Sequence, residues 1–388
     1  MGTDFLPLTE GSARVQTGSG FFNPASRPSR DLGVLLARTL SRRRSLRVLD
    51  LMAGCGLRSA RYGIEAQALC LWANDADPAR LPLLASNLRL LEDRCLVRRT
   101  AHSAHWLLAD CLMRGERFDF VDLDAFGSPH ALVPLALEAV ALEGVLYLAS
   151  TDGRGPTGHD RRASLRRMGA SARCHPASWE QAIRLQLGVI ARAAWCQGRG
   201  VDPLFCFSDG RTFRTALRLR RHPRSDEERQ LGLVAFCHVC GDQQVQPLLS
   251  LSRWDPCCCS RNDRSKLAVS GPLWIGPLQH GPTLDAMALE ATRSPITLGK
   301  EGAALLARLQ RDRGWPARCW PYSLLARHIG PGLPPLKRLL DRLHQQGFLA
   351  VSSGMMPGQI RSDAPWATIL ALGSELAQGA ADGGGAVK

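Results

Sequence analysis

The sequence predicts an α/β fold in which a doubly wound parallel sheet is followed by a smaller C-terminal module. Several short apolar runs end in acidic residues, and they are too short and too rich in β-forming residues for helices. These runs occupy residues 46–56, 68–78, 118–129 and 144–152. Spacers with helical character separate them, at 57–66, 79–91 and 129–142. Strands that alternate with helices indicate a parallel sheet, and ligands of such sheets bind beyond the carboxyl ends of the strands.

Changes in composition and residue pattern along the chain predict five segments. A polar, basic N-terminal segment at 1–45 precedes the sheet domain at 46–225. A cysteine-containing region follows at 226–296, and then a C-terminal module at 297–376 in which two or three short helices precede a strand. This order of elements resembles a small helical or winged-helix module. The low-complexity end, 377–388, is predicted to be a flexible tail.

The charge of the chain indicates a polyanionic partner. The 388 residues carry 49 Lys+Arg against 35 Asp+Glu, a net charge of +14. Only four of the basic residues are lysines, so arginine usage in a GC-rich genome is an alternative source of the excess. Two arginine-rich stretches, 161–173 and 211–224, suit phosphate contacts, with a solvated face as the alternative.

Composition also excludes two classes of protein. With 45% hydrophobic and 22% charged residues, the chain is not a disordered one. No apolar run reaches the ~18 residues of a membrane span, and residues 1–20 lack the apolar core of a signal peptide. We therefore expect a soluble, cytoplasmic protein that does not bind membranes.

Two strand ends have the residue types of a nucleoside-cofactor site. Asp50 ends the first run, and Gly54 and Gly56 in the following loop let the backbone approach a ligand at a helix N-terminus. This DxxxGxG spacing resembles the loop of class I S-adenosylmethionine methyltransferases, although a plain glycine turn is the alternative. Asp75, 25 residues beyond Asp50, is placed to accept both ribose hydroxyls, or to form an Asx turn. Asp110 with Cys111 fits the place where a third strand-end carboxylate meets an adenine amino group.

The run at 118–129 carries the chemistry of an amine methyltransferase. An aromatic amine is a poor nucleophile, and a carboxylate such as Asp124 can orient it for attack on a sulfonium methyl group. Phe126 beside it can stack on a flipped base. The alternative is a capping Asp124 and a buried Phe126. Asp122 and Asp124 lie in an apolar strand, and this favours function because buried carboxylates require partners.

The chain resembles one family over nearly its whole length, from Phe21 to Pro365. The matching stretches are FFNPASRPSRD at 21–31, GLR at 56–58, ND at 74–75, DAFGSP at 124–129, TD at 151–152, SGPLWIGPL at 270–278, PY at 321–322 and IRSDAP at 360–365. They are similar to FYNPxMxxNRD, NDxxP, DPFGSP, GGPLWxGPL and IKTDAP of the tRNA guanine-26 N2-dimethyltransferases. Two positions depart from the pattern: Ala125 replaces the proline of DPFG, and Ser29 replaces the asparagine before Arg30.

The resemblance implies a Rossmann-like class I methyltransferase sheet domain and a C-terminal α/β domain that grips tRNA. It implies S-adenosylmethionine as cofactor and one or two methyl transfers to the N2 amine of guanine 26, and we expect a monomer. It also implies a set of roles: Arg30 and Arg58 at the methionine end of the cofactor, Asp75 at its ribose, Asp110 and Cys111 at its adenine, Asp124 at the guanine amine, and Phe21 with Phe126 on the two faces of the base. The alternatives are a methyltransferase of the same fold that acts on another RNA or tRNA position, or a non-catalytic RNA-binding protein.

Four cysteines form a candidate metal site. Cys237 and Cys240 have the CxxC spacing of a zinc knuckle, and some members of the family carry a four-cysteine site here. Cys257 and Cys259 follow 17 and 19 residues later within a run of three cysteines. The sequence leaves open a structural zinc ion or a group of buried thiols.

Overall fold

A computed structural model describes residues 7–19, 21–257, 259, 267–330 and 332–382 of the chain. It opens with a β-hairpin and a helix, which are β1 (Leu8–Glu10), β2 (Ala13–Val15) and α1 (Arg27–Ser41). A large sheet follows, in the order β5-β4-β3-β6-β7-β9-β8. Its strands are β3 (Arg47–Asp50), β4 (Cys70–Asn74), β5 (Leu96–Thr100), β6 (Phe118–Asp124), β7 (Val140–Ser150), β8 (Gly200–Ser208) and β9 (Phe213–Arg220). The first five run parallel, and β9 is antiparallel to both of its neighbours.

The helices of this region cover both faces of the sheet, as a doubly wound fold requires. They are α2 (Leu57–Ile64), α3 (Leu81–Leu88), α4 (Ala104–Met113), α5 (Val133–Ala139), α6 (Arg161–Met168) and α7 (Ser178–Cys196). Successive side chains of a strand point to opposite faces. Val48 therefore joins the core beneath α1, α2 and α3, whereas Leu49 joins the core beneath α4, α5 and α7. The predicted parallel, doubly wound sheet is confirmed.

Some predicted elements have different bounds. The spacer at 79–91 contains only the two turns of α3, with single 3-10 turns at Pro78–Arg80 and Arg89–Leu91. The spacer at 129–142 contains the shorter α5, because β7 already begins at Val140. Strand β5 was not predicted, since it lies at the edge of the sheet and its residues, LVRRT, are half-exposed or exposed and lack an apolar run.

Two smaller sheets complete the chain. The second has the order β11-β10-β12, with β10 (Leu231–Cys237), β11 (Gln243–Pro247) and β12 (Leu267–Trp274). After α8 (Gly281–Arg293) and α9 (Lys300–Arg311), the third sheet has the order β13-β15-β14. Its elements are β13 (Cys319–Pro321), α10 (Tyr322–Ile329), α11 (Leu336–Gln345), β14 (Ala350–Ser352), β15 (Gln359–Ser362) and α12 (Trp366–Asp382).

One buried cation joins the third sheet to the large sheet. Arg361 on β15 donates to Glu180 on α7, and to Oδ2 of Asp312 at 3.2 Å. A buried arginine needs such carboxylate partners, so this contact fixes how the C-terminal elements sit on the sheet domain. Helix α12 continues to Asp382, six residues into the predicted tail, and residues 383–388 lie outside the described residues. Among the described helices, none combines the length and the apolarity that a membrane crossing requires.

Candidate active site

The carboxyl ends of β3, β4 and β6 bring three predicted site carboxylates to one edge of the sheet. Asp50 is the last residue of β3, Asp75 follows β4 directly, and Asp124 is the last residue of β6. Strands β3 and β6 are neighbours, and Asp50 is paired in register with Asp122. Residues that are widely separated in the sequence thus meet where parallel sheets bind ligands.

The glycine loop after β3 forms a backbone cradle. Gly54 and Gly56 have φ of +57° and +80°, a region that favours glycine. Gly54 donates its N–H to Oδ2 of Asp75 at 2.9 Å, which joins the two strand ends. A side chain at Gly54 would meet no atom within 4 Å, so the loop borders open space at the N-terminus of α2. This is the kind of opening that the cofactor of a class I methyltransferase requires.

Asn74, the last residue of β4, also organises this edge, and sequence reasoning missed it. Its Nδ2 donates to the carbonyl groups of Leu51 and His102, and its Oδ1 accepts from the N–H of His102 and the hydroxyl of Thr100. These bonds hold together the chain after β3, β4 and β5. The sequence signal was the pair Asn74-Asp75, in which only the aspartate was assigned a role.

Asp50 is fully buried beneath the glycine loop. Its Oδ2 accepts from the Ser59 hydroxyl at 2.7 Å, whereas its Oδ1 has no hydrogen-bond partner among the described residues. Burial raises the pKa of Asp50 to about 7, and the nearby Asp122 carboxylate adds to the rise. Asp50 therefore binds a proton near neutral pH and presents one buried oxygen without a partner.

Asp124 is held by two guanidinium groups. Its Oδ2 accepts from Arg58 at 2.6 Å and its Oδ1 from Arg214 at 2.7 Å. Burial by itself would raise the pKa of Asp124, but Arg214 and Arg58 together lower it to about 2. The same arginines contact Asp122 at 3.3 and 3.5 Å, and Tyr62 donates its hydroxyl to Asp122 at 2.6 Å. Asp124 is thus an ionised carboxylate of fixed orientation, with its side chain 31% exposed.

The contacts of Arg214 in the structure differ from the role that the sequence suggested for it. The strand at 211–224 was predicted to contact phosphates, but four of its arginines are bound to carboxylates of the protein. Arg214 contacts Asp122 and Asp124, and Arg218, Arg220 and Arg224 all contact Asp202. The charge of these four residues is therefore engaged within the protein, and a contact of this stretch with phosphate stays a prediction. Strand order accounts for the partners of Arg214, since β9 lies antiparallel beside β7 and places Arg214 at the carboxyl end of β6.

The two arginines predicted for the methionine end of the cofactor also have protein partners. Arg58 binds Asp122 and Asp124, as described above. Arg30 donates from Nε and Nη2 to Glu10 at 2.8 and 2.6 Å, and from Nη1 to the Asn23 carbonyl oxygen at 3.0 Å. These bonds fasten the β-hairpin and the FFNP segment near Asp124, whose pKa Arg30 also lowers. The role of Arg30 and Arg58 toward the cofactor stays a prediction.

Phe21 and Phe126 contact each other, and Phe126 follows Asp124 by two residues in the chain. Their ring centroids are 5.2 Å apart at an interplanar angle of 78°, an edge-to-face contact. Both side chains are largely exposed, at 73% and 76%. Large exposed aromatic groups lose apolar burial, so an exposed pair at a strand edge favours a binding role over a packing role. The structure therefore brings together the two rings that the resemblance assigned to the base.

The expected position of Asp110 and Cys111 is wrong. Both residues lie within α4, two turns from its start at Ala104, and not after a strand. Asp110 accepts from Nε of Arg114 at 2.8 Å, and Cys111 is fully buried in the core under this helix. The strand that should carry an adenine contact is β5, and the chain after it reads Ala101-His102-Ser103. His102 and Ser103, the N-cap of α4, occupy the strand end that was predicted for Asp110.

The four candidate metal ligands are brought together at the end of β10. The sulfur atoms of Cys237, Cys240, Cys257 and Cys259 all lie within 4.8 Å of one another. The Cys237 and Cys257 sulfur atoms are 3.6 Å apart. Four thiolates at about 2.3 Å from a tetrahedral zinc ion are separated by about 3.8 Å, so this donor set fits zinc.

Comparisons with known proteins agree with this geometry. Residues 9–372 match the family described as N2,N2-dimethylguanosine tRNA methyltransferase. The chain is 26% identical over 376 residues to a tRNA (guanine(26)-N(2))-dimethyltransferase of Thermococcus kodakarensis, covering 93% of this chain and 95% of that one. It is 29% identical over 355 residues to the protein of the same name from Methanosphaerula palustris, covering 90% of each.

A solved structure shares the fold over almost the whole chain. Trm1 from Pyrococcus horikoshii, solved in complex with S-adenosyl-L-methionine, superposes with a TM-score of 0.82 at 23% identity, and the match covers 94% of this chain and 99% of that one. Because the match covers 94% of this chain, it includes the second and third sheets as well as the large sheet. On the match of the family over residues 9–372, the chain belongs to the N2,N2-dimethylguanosine tRNA methyltransferases.

Proposed function

We propose that the protein transfers methyl groups from S-adenosylmethionine to the exocyclic N2 amine of guanine 26 in tRNA, giving N2-methyl- and N2,N2-dimethylguanine. The observation that carries this proposal is the ionised Asp124 carboxylate, which Arg58 and Arg214 fix two residues before Phe126, one member of an exposed aromatic pair with Phe21. Membership of the family supports the same reaction and the same substrate.

The edge formed by β3 and β4 fits the cofactor. When bound, S-adenosylmethionine supplies a methyl group on a sulfonium, from which it leaves readily. The open space at Gly54 and the buried Oδ1 of Asp50 suit the side of the cofactor that would face the protein backbone. Asp75 suits the ribose hydroxyl groups of the cofactor. We assign the adenine end to the chain after β5, at His102 and Ser103, in place of Asp110 and Cys111.

Asp124 acts on the amine. Each of its oxygens accepts one guanidinium hydrogen bond and keeps a lone pair for an N–H of the guanine amine. The bonds orient the nitrogen lone pair toward the methyl group, and the negative charge stabilises the positive charge that develops on nitrogen. As the N–C bond forms and the S–C bond breaks, the nitrogen becomes acidic enough to lose a proton to Asp124 or through it to water.

Phe21 and Phe126 hold the flipped base. A planar base between two rings needs about 7 Å between them, twice the ~3.5 Å contact distance of carbon atoms. The rings are 5.2 Å apart in an edge-to-face contact, so one of them must rotate when the base enters. Their exposure leaves room for that movement, and their mutual contact shields both rings in the free protein.

The proposed function is tested with purified protein, labelled S-adenosylmethionine and a tRNA transcript. We expect nucleoside mass spectrometry to detect N2-methyl- and N2,N2-dimethylguanosine, and a transcript with adenosine at position 26 to remain unmethylated. Methylation of the adenosine-26 transcript at another guanine would support the alternative of a different target position. No cofactor binding in calorimetry would support a non-catalytic RNA-binding protein and contradict the proposal.

We also propose that the cysteine cluster holds a structural zinc ion. The ion would fix the turn after β10 to Cys257 and Cys259, and the neighbouring Cys240 carbonyl accepts a hydrogen bond from Trp366 on α12. Zinc would thereby help to position the C-terminal elements. We expect about one zinc ion per chain by metal analysis, falling below one third in Cys240→Ser, with a lower melting temperature.

The matched control is Cys196→Ser, which changes an exposed cysteine outside the cluster. It should retain its zinc and its melting temperature. Wild-type protein without zinc, or a Cys240→Ser variant with the full content, would contradict the metal site. From the sequence we retain the expectation that the protein acts as a cytoplasmic monomer on tRNA.

A further inference from the structure

Helix α6 carries a concentration of positive charge that the described carboxylates do not neutralise. Four of its eight residues are arginines, and Arg154 precedes it in the same connection. Among the described residues, no carboxylate lies within 4.0 Å of the guanidinium groups of Arg154, Arg161, Arg162 or Arg166. We call these four exposed side chains the α6 arginine face.

This distinguishes α6 from the other arginine-rich stretch. On β9 and just after it, Asp202 contacts Arg218, Arg220 and Arg224, and Glu143 and Glu227 also contact Arg218 and Arg220. Most of the charge at 211–224 is thus balanced within the protein. Surface cations that form such pairs have lost part of their attraction for phosphate. No ion pair among the described residues weakens the attraction of the α6 arginine face for phosphate in this way.

Asp152 links helix α6 to the loop that follows β6. Oδ2 of Asp152 accepts from Arg167 of α6 at 2.8 Å, and the N–H of Asp152 donates to the Gly127 carbonyl oxygen at 3.2 Å. Gly127 in turn donates its N–H to the Thr151 hydroxyl at 2.6 Å. Because Gly127 directly follows Phe126, α6 is held at a fixed place beside the proposed base site.

The surface at the start of α6 is concave. An open cleft of about 500 Å³ is lined by His159, Asp160, Arg161, Arg162, Leu165 and Ser171. Asp160 uses its carboxylate to cap the helix, accepting the N–H of Ala163 at 2.9 Å. Leu165 is 63% exposed between the arginines, so the cleft presents both an apolar surface and cations. A nucleotide has two complementary parts, a planar base that suits the apolar surface and a phosphate that suits the cations.

We propose that the α6 arginine face binds the phosphate backbone of the substrate tRNA next to the flipped guanine. The proposal rests on the proposed function for its substrate. Phosphate contacts position an RNA without reading its sequence, so this face fixes the register of the RNA while Asp124 and the two rings engage the base.

The test compares two triple variants that remove the same charge. Arg161→Gln/Arg162→Gln/Arg166→Gln removes three cations of the face, and glutamine preserves the helix propensity. The control is Arg43→Gln/Arg89→Gln/Arg94→Gln. These arginines are exposed, no described carboxylate pairs with them, and they precede β3 and β5, at the opposite end of the strands.

The dissociation constant for tRNA is measured over a series of salt concentrations, together with the kinetics. For the α6 variant we expect binding at least tenfold weaker at about 0.1 M salt, and a salt slope smaller by about 2–3, or nearly one per lost phosphate contact. KM for tRNA should rise, while kcat at saturating tRNA and the cofactor affinity stay within twofold. The control variant should match the wild type.

An α6 variant with the binding constant and salt slope of the control would overturn the proposal. The result of this binding test can be distinguished from the result of the methylation test of the proposed function. If wild-type protein fails to methylate tRNA but the α6 variant still loses tRNA affinity, the reaction is wrong and the docking surface stands.

Discussion

Asp124→Asn should lower the rate of methyl transfer by about 10²- to 10⁴-fold while tRNA binding changes little. The amide keeps the shape of the carboxylate but loses the charge that orients the guanine amine and stabilises its developing positive charge. Single-turnover kinetics with saturating tRNA and cofactor measure the chemical step directly. Because the pKa of Asp124 is lowered to about 2, the carboxylate is ionised at every assay pH, and the loss should not depend on pH between 6 and 9.

Folding is the main confounding effect, since the change leaves Arg58 and Arg214 with less compensating charge. Cofactor affinity by calorimetry and the unfolding midpoint are therefore measured on the same protein. Asp122→Asn is the matched variant, because Asp122 contacts the same two arginines but is completely buried. Asp122→Asn should lower the unfolding midpoint. The methyl-transfer rate of its folded fraction should fall less than the rate of Asp124→Asn. Wild-type rates in Asp124→Asn would show that another group engages the amine.

Arg61→Met should cost about 3–5 kcal/mol of unfolding free energy, the largest loss of stability that we predict for one substitution. Arg61 is fully buried and donates to Glu65 at 2.7 Å, to Glu10 at 2.8 Å and to Asp31 at 2.6 Å. It also donates to the Thr297 carbonyl oxygen at 2.6 Å. Its removal leaves three acidic groups at 5% exposure or less without their central cation, and burial already raises the pKa of Asp31.

Denaturant unfolding monitored by circular dichroism measures this loss. Arg114→Met is the control, because Arg114 also pairs with a carboxylate, Asp110, but at an exposed position directly after α4. Its unfolding midpoint should equal that of the wild type. Equal midpoints for Arg61→Met and Arg114→Met would mean that the buried network contributes nothing beyond a surface ion pair.

The sequence was sufficient for the parts of the fold that depend on local pattern. The runs ending at Asp50, Asp75 and Asp124 form buried strands with an acidic residue at or directly after the end, and both properties are visible in neighbouring residues. Strand β5 lacks an apolar run because it is an edge strand, and missing it displaced the predicted adenine contact onto Asp110. An error in one element thus became an error in the site.

The partners of Asp124 could not be predicted, because they depend on strand order. Whether an arginine on β9 faces the solvent or contacts the carboxylate at the end of β6 depends on which strand lies beside β7 and in which direction it runs. The separate roles of the two arginine-rich stretches have the same origin. The two stretches are alike in composition. They differ in how many carboxylates the fold places beside them, with Asp202 contacting several arginines of 211–224 and Asp152 contacting one arginine of α6.

The contact between Arg214 and Asp124 joins residues 90 positions apart in the chain. During synthesis on the ribosome, the glycine loop, the aromatic ring of Phe126 and the carboxylate itself emerge well before β9. A nascent chain that ends before Phe213 contains all the residues proposed for the cofactor but lacks the second cation that fixes Asp124. The order of synthesis thus places completion of the Arg58–Asp124–Arg214 contacts after emergence of the proposed cofactor site.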